Sequence, residues 1–272
     1  MLHTTAAGSA HLTFTRNGAA TVLTRAFATS PAKLIETRRR SATCWVYAAT
    51  FGGGFVGGDH VRLHADVTAG ARALLTTQAS TKVYRSQRPS SQTIEATVGA
   101  HAFLAVVPDP IVCFAGADFT QRQRYDLHPD ASLVVVDWIT SGRHQSGERW
   151  EFLRYENRVD VNRGPQRIFL DGLVLEPQTD GVAERMDRFN VLLTAVVTGP
   201  LVAAAAQDLV SRVSHDPIAR GAGLVASASR LRDGGALLRI AGTTVEQVGH
   251  TLRTSLEFVS ALAGDDIWSR KW

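Results

Sequence analysis

Sulfur and lysine are scarce in this chain. Cys44 and Cys113 are its only cysteines, and each lies in an apolar run, CWVY and IVCF. Such surroundings read first as two buried thiols, with a disulfide or a metal pair as the alternative. Either way, a cysteine-dense secreted scaffold is excluded. Two buried thiols suit a reducing compartment and predict a cytoplasmic protein. No stretch approaches the roughly 18 uncharged apolar residues of a membrane span. The longest candidate, around Gly199–Ala206, is short and Ala-rich. Met1–Ala10 lacks a basic start followed by an apolar block, so no secretory signal is expected. Local catalytic signatures are missing as well. The chain contains no G-x-x-x-x-G-K-[ST], H-E-x-x-H, G-x-S-x-G or C-x-x-C, so P-loop, zinc-protease and serine-hydrolase readings lack their motifs. Lysine occurs only at 33, 82 and 271, so most of the 29 basic residues are arginine. They exceed the acidic residues by 4. Arginine pairs bidentately with carboxylates and phosphates, and the residues are scattered apart from Arg38-Arg39-Arg40. The charge therefore points to an acidic partner before nucleic acid.

What is present is a core-forming β pattern. Hydrophobic residues make up 44% of the 272, enough for one large domain or two. Leu12 and Phe14 alternate with polar residues, Asn17-Gly18 signals a hairpin, and Val22 leads the chain back. Val61, Leu63, Ala65 and Val67 alternate with Arg62, His64 and Asp66, which predicts a strand with one buried face. Cys44–Ala49, Ala73–Thr77, Thr93–Val98, Ala102–Val107, Ile111–Phe114 and Leu133–Ile139 continue the pattern, with Gly70, Pro89, Gly99, Pro108, Gly116 and Pro129 at turns. Regular spacing of this kind predicts a mainly β fold of stacked or wrapped sheets, a β-helix-like body. No fixed-period repeat is evident in the sequence. The body is expected over about 1–190 of a single 1–272 domain.

A β-α-β-β-α appendage with two helices is expected over about 191–264. Val191–Val197 reads as a strand, and Pro200 opens a helix carrying Leu201, Leu209, Val210 and Val213, stopped by His215-Asp216-Pro217. Gly223–Ser229 and Ala236–Ala241 read as strands. Thr243 with Glu246 forms a capping box for a helix bearing Val245, Val248, Leu252, Leu256, Val259 and Leu262.

The densest motif is the loop Gly52, Gly53, Gly54, Phe55, Val56, Gly57, Gly58, Asp59. It contains G-x-G-x-x-G, but a dinucleotide site needs a helix next, and a period-2 strand follows. The glycines read instead as a loop needing positive φ and close backbone approach. His60 and His64, beside Asp59, are candidate metal ligands on one strand face, with a solvated surface as the alternative. The polar stretch Thr76–Ser86 reads as a strand edge or as a polar lining.

WVYAATFGGGFVGGDHVRL, GARALLTTQASTKVYRS, PDPIVCFAGADFTQ and SGRHQSGE occur in an order that resembles the urease accessory protein UreD (UreH) family, from about Ser30 to Glu176 and more loosely to the C-terminus. Phe55 stands where many members have Leu, and Asp137-Trp138 where a Trp-Glu order is common. The resemblance implies a non-catalytic scaffold that binds urease apoprotein on one side and UreF on the other. UreG, a GTPase, joins through UreF. The resemblance further implies a water-filled passage carrying Ni²⁺ to the urease active site, with no tightly bound cofactor and no membrane or nucleic-acid partner. Asp59, Asp137, Glu148 and Glu176 are expected to line it, with Ser80, Thr81 and Lys82 alongside. For Glu148 and Glu176 the alternative is ion pairing with Arg143, Arg149 or Arg167. Two other functions stay open at this point: a nucleotide-binding enzyme using the Gly52–Gly58 loop, and a basic nucleic-acid-binding module.

Overall fold

The computed structural model describes residues 7–37, 41–215 and 218–269. His3, Arg38-Arg39-Arg40, Asp216-Pro217 and Lys271 lie outside them. Among the described residues the strands are β1 (Ser9–Asn17), β2 (Ala20–Ala28), β3 (Ala32–Glu36), β4 (Cys44–Thr50), β5 (Gly54–Phe55), β6 (His60–Val67), β7 (Arg72–Thr77), β8 (Thr81–Val83) and β9 (Ser90–Val98). They continue with β10 (Phe103–Val107), β11 (Ile111–Cys113), β12 (Asp118–Leu127), β13 (Ser132–Thr140), β14 (Arg154–Arg163), β15 (Gln166–Leu175), β16 (Val191–Thr198), β17 (Leu224–Arg230) and β18 (Ala236–Gly242). The helices are α1 (Pro177–Asp180), α2 (Val182–Met186), α3 (Ala203–His215), α4 (Val245–Ser255) and α5 (Glu257–Ala263).

The chain coils between two stacked sheets. One has the order β15-β14-β12-β9-β6-β1-β2, and the other runs β17-β18-β16-β13-β10-β7-β4-β3. A short ribbon, β5-β8-β11, joins the second sheet at the end of β13. Each turn of the coil places a strand in each layer: β6, β7, β8, then β9, β10, β11, then β12 and β13. Strands stacked between turns are parallel. Ser91 sits beside His60 and Phe103 beside Arg72, both 31 residues on. Ser132 sits beside Phe103 and Phe119 beside Ser90, both 29 residues on. The fold is therefore a β-solenoid with a coil of about thirty residues, a period set by backbone pairing that the sequence text does not display.

Inward positions follow the period-2 pattern. Leu12 and Phe14 of β1, Leu63 and Ala65 of β6, and Leu104 and Val106 of β10 meet in the core between the sheets. The opposite face of the second sheet forms another core, where Phe103, Val134, Val136 and Trp138 pack beneath α3, α4 and α5. Covered on both sides, β13 is buried at all nine positions, as expected of a central strand. β16 pairs antiparallel with β13, so the C-terminal strands extend the same sheet.

The order strand–helix–strand–strand–helix appears as expected, with two local corrections. The second helix is capped by Thr244, whose side chain accepts from the Gln247 backbone N–H, rather than by Thr243 with Glu246. It also breaks at Leu256 (φ −112°, ψ 22°) into α4 and α5, although its apolar stripe continues through both. The Asn17-Gly18 hairpin is present, with Gly18-Ala19 as a two-residue turn between β1 and β2. The sequence reading missed β12, β14 and β15, because their inward positions include polar residues. Neither thiol is in a disulfide, and both are buried. No helix among the described residues is long and apolar enough to cross a membrane.

Candidate functional site

Among the described residues, the coil interior gathers a buried carboxylate and several amides at one level. There, β12 turns Gln121 and Gln123 inward between Phe119 and Tyr125, and β14 turns Asn157 inward after Tyr155. From the opposite sheet β13 supplies Asp137, on the same face as Val135 and Ile139. Asn157 Nδ2 donates to Asp137 Oδ2 at 2.8 Å, and Gln123 Nε2 donates to Asp137 Oδ1 at 3.0 Å. Gln121 Nε2 donates to Oδ1 as well. Tyr125 in turn donates its hydroxyl proton to Gln123 Oε1 at 2.8 Å. The Tyr155 hydroxyl lies near the same carboxylate, buried and without a completed hydrogen bond.

This carboxylate has three amide donors and, among the described residues, no cationic partner. Burial pushes the Asp137 carboxyl up to about 6, and Asp171 adds to the rise, while the Gln121, Gln123 and Tyr155 contacts oppose it. Near neutral pH the group therefore sits close to the boundary between its charged and neutral forms. Burial drives the Tyr125 and Tyr155 hydroxyls upward, so both remain protonated donors.

Two adjoining cavities reach this level. The inner one, about 30 Å³, touches Asp137, Gln121, Gln123, Thr77 and Thr81, with room for about two water molecules. The outer one, about 130 Å³, is bounded by Lys33, Gly53, Gln78, Ser80 and Thr81. Ala48, Leu63, Thr77, Thr81 and Gln92 border both. Gly53 and Gln78 are exposed, so the outer cavity meets solvent at the corner between β7 and β8. Their shared lining residues place the two cavities side by side, the outer one at that corner and the inner one against the buried carboxylate.

The UreD urease accessory protein model matches residues 6–272. The chain belongs to the UreD family. A "Urease accessory protein UreD" of Sorangium cellulosum (strain So ce56) is 50% identical over 266 residues, covering 98% of this chain and 85% of that protein. One from Anaeromyxobacter sp. (strain Fw109-5) is 42% identical, covering 97% of this chain and 89% of that protein. A "Urease accessory protein D" from Oryza sativa subsp. indica is 42% identical over 185 residues, covering 65% of this chain and 60% of its own length.

Of the residues expected at a passage, Asp137, Ser80 and Thr81 border the cavities. The others sit elsewhere. Asp59 closes a turn: its Oδ2 accepts from the Val56 N–H at 2.9 Å. Lys82 is exposed, on the opposite side of β8 from the inward Val83. Glu148 pairs with Arg143 and accepts from the Ala115 N–H at 3.2 Å, and these contacts pull its carboxyl down. Glu176 pairs with Arg154 at 2.9 Å. These two acids therefore follow the ion-pair alternative, with Arg154 as a partner the sequence reading did not name. Arg149 and Arg167 hold Asn190 and Asp160 instead.

His60 and His64 share the outer face of β6, but four residues along a strand span about 13 Å. His60 Nδ1 meets Ser91 Oγ at 2.8 Å and His64 meets Asp66, so the two cannot hold one ion together. In the glycine loop, Gly52, Gly53 and Gly58 have positive φ. Gly54 sits on β5 where an added Cβ would lie 2.6 Å from the Lys82 carbonyl oxygen, and Gly57 lies too close to Ser86 to accept a Cβ. β6 follows, with no helix to receive a pyrophosphate. The loop shapes the outer cavity's rim through Gly53 and Gly54. Sequence reasoning missed Gln121, Gln123 and Asn157. Their signal was polar residues at inward positions of strands that also carry Phe119, Tyr125 and Tyr155.

Proposed function

We propose that this chain is a non-catalytic scaffold in urease maturation that passes Ni²⁺ along the path from the Ser80–Thr81 corner to Asp137. Family membership supports a role in urease maturation and association with urease and other accessory proteins. The finer reading has urease apoprotein as one partner and UreF as the other, with UreG joining through UreF. The observation that carries it is the cavity pair that ends on a buried, cation-free carboxylate surrounded by amides.

The chemistry suits transit rather than storage. Ni²⁺ prefers nitrogen-rich sets, and carboxylate, amide and hydroxyl oxygens hold it loosely. One carboxylate with amide oxygens attracts a dication into a dry interior, where a bare ion is costly, and an incomplete ligand set releases it. The arginines of the outer sheet face support protein partners over nucleic acid. Arg122, Arg124 and Arg158 pair with Glu156, Asp126 and Asp160, so they do not form an unbalanced basic patch.

The test is urease activation in cells that carry all the other maturation genes. Loss of activity on deleting this chain, restored by wild type but not by Asp137→Ala, is the expected result. Full activation without the chain would refute the reading.

A further inference from the structure

The wet face of the seven-stranded sheet holds a second group of metal-ligating side chains, separated from the interior cavity by the sheet itself. β1 and β6 run parallel with His11 beside His64 and Thr13 beside Asp66. Leu12, Leu63 and Ala65 turn into the core, so His11, His64 and Asp66 share the outer face. The two imidazole centres are 5.0 Å apart with planes inclined by 43°. His64 Nε2 lies 3.1 Å from Asp66 Oδ1. His11 Nδ1 is buried and has no hydrogen-bond partner. On the far side of His64, β9 places the exposed Glu95.

We propose that His11, His64 and Asp66 form a surface site for a divalent transition-metal ion, with Glu95 within reach as a fourth ligand. Two imidazoles bound to one ion at about 2.1 Å per nitrogen have ring centres roughly 5 Å apart at near-tetrahedral angles. His64 Nε2 and Asp66 Oδ1 are side by side in a hydrogen bond at 3.1 Å, which a bound ion would replace. Two imidazoles and a carboxylate suit zinc, nickel or copper better than calcium or magnesium.

Ligation needs a neutral imidazole. Burial, His64 and Arg25 hold the His11 ring below its usual value, with Asp66 acting the other way. Arg25 also repels a cation, which keeps the site weak and exchangeable. Among the described residues no three such side chains stand in a metal-holding arrangement, so the proposed site requires His11 and His64 to rotate toward a common ion. This site stands independently of the interior passage.

The test is equilibrium dialysis of the full chain, without a polyhistidine tag, against NiCl₂ and separately ZnCl₂ at pH 7.5. Wild type, His11→Ala, His64→Ala, His60→Ala and Asp137→Asn are compared, each checked for an unchanged far-UV spectrum. The expected result is one bound equivalent that weakens at least tenfold in His11→Ala and in His64→Ala. That equivalent persists in His60→Ala and in Asp137→Asn. Binding unchanged by His11→Ala and His64→Ala, or absent from wild type, would overturn the proposal. Loss in Asp137→Asn alone would assign the metal to the interior and overturn it too.

Discussion

Asn157 on one sheet donates its amide to Asp137 on the other at 2.8 Å, across the middle of the core and beside the buried amides of Gln121 and Gln123. A carboxylate placed there without a cation is a local instability. Its amide donors soften that instability without removing it. A hydrophobic residue of similar size would avoid the desolvation cost of that carboxylate.

The first prediction concerns pH. The folded-state carboxyl of Asp137 is raised to about 6 from its usual 3.8. The folded state therefore binds this proton more tightly than the unfolded chain does. The associated stability is fully present below about pH 4 and is lost as pH rises through 6. Asp137→Asn removes the titration. Relative to wild type, the variant should gain stability between pH 4 and 7, by an amount on the order of 2–3 kcal/mol. Urea unfolding at several pH values measures this. A difference between the two proteins that does not change with pH would contradict it.

A second prediction separates the acids on the path from those off it. Glu148→Gln and Glu176→Gln break ion pairs with Arg143 and Arg154 but touch neither cavity. Each should leave urease activation within about twofold of wild type. Partly solvated pairs contribute little, so each should lower Tm by only about 1–4 °C. A loss of activation as deep as that of Asp137→Ala would return these residues to the passage.

The glycine loop gives a third prediction. Gly53 has positive φ and open space around it, whereas Gly54 has backbone and ring atoms within 2.7 Å of where a Cβ would stand. Gly53→Ala should cost about 1 kcal/mol, the strain of a left-handed residue. Gly54→Ala should cost about 2–3 kcal/mol, because β5 must move away from β8. Thermal melts give the order, and Gly53→Ala being the more damaging would contradict it.

Much of the fold was legible. Strict alternation in Val61–Val67 marked β6, Asn17-Gly18 marked the first hairpin, and steps of three and four marked α4 and α5. The coil itself was not legible, since a thirty-residue spacing is imposed by backbone ladders and leaves few repeated letters. β12 hid because Gln121 and Gln123 occupy inward positions, where a pattern search expects apolar residues. The same substitution of amides for aliphatics built the candidate site. Family resemblance named Asp137, Ser80 and Thr81 as lining a passage, and in the structure these three border the cavities. It placed Asp59, Lys82, Glu148 and Glu176 there too, because sequence blocks do not record which way a side chain points. Asp59 serves a turn, and the two glutamates serve arginines. Likewise His64 was matched with His60 along its own strand, whereas its nearest imidazole is His11 across the ladder.

The most direct test is the nickel content of urease matured in the presence of Ala48→Leu. Ala48 borders both cavities, and the larger side chain fills the junction while leaving Asp137 and its amides in place. If the path carries the ion, purified urease should contain at least fivefold less nickel than with wild type, while the variant still co-purifies with its partners. A full complement of nickel with the junction filled would contradict the account.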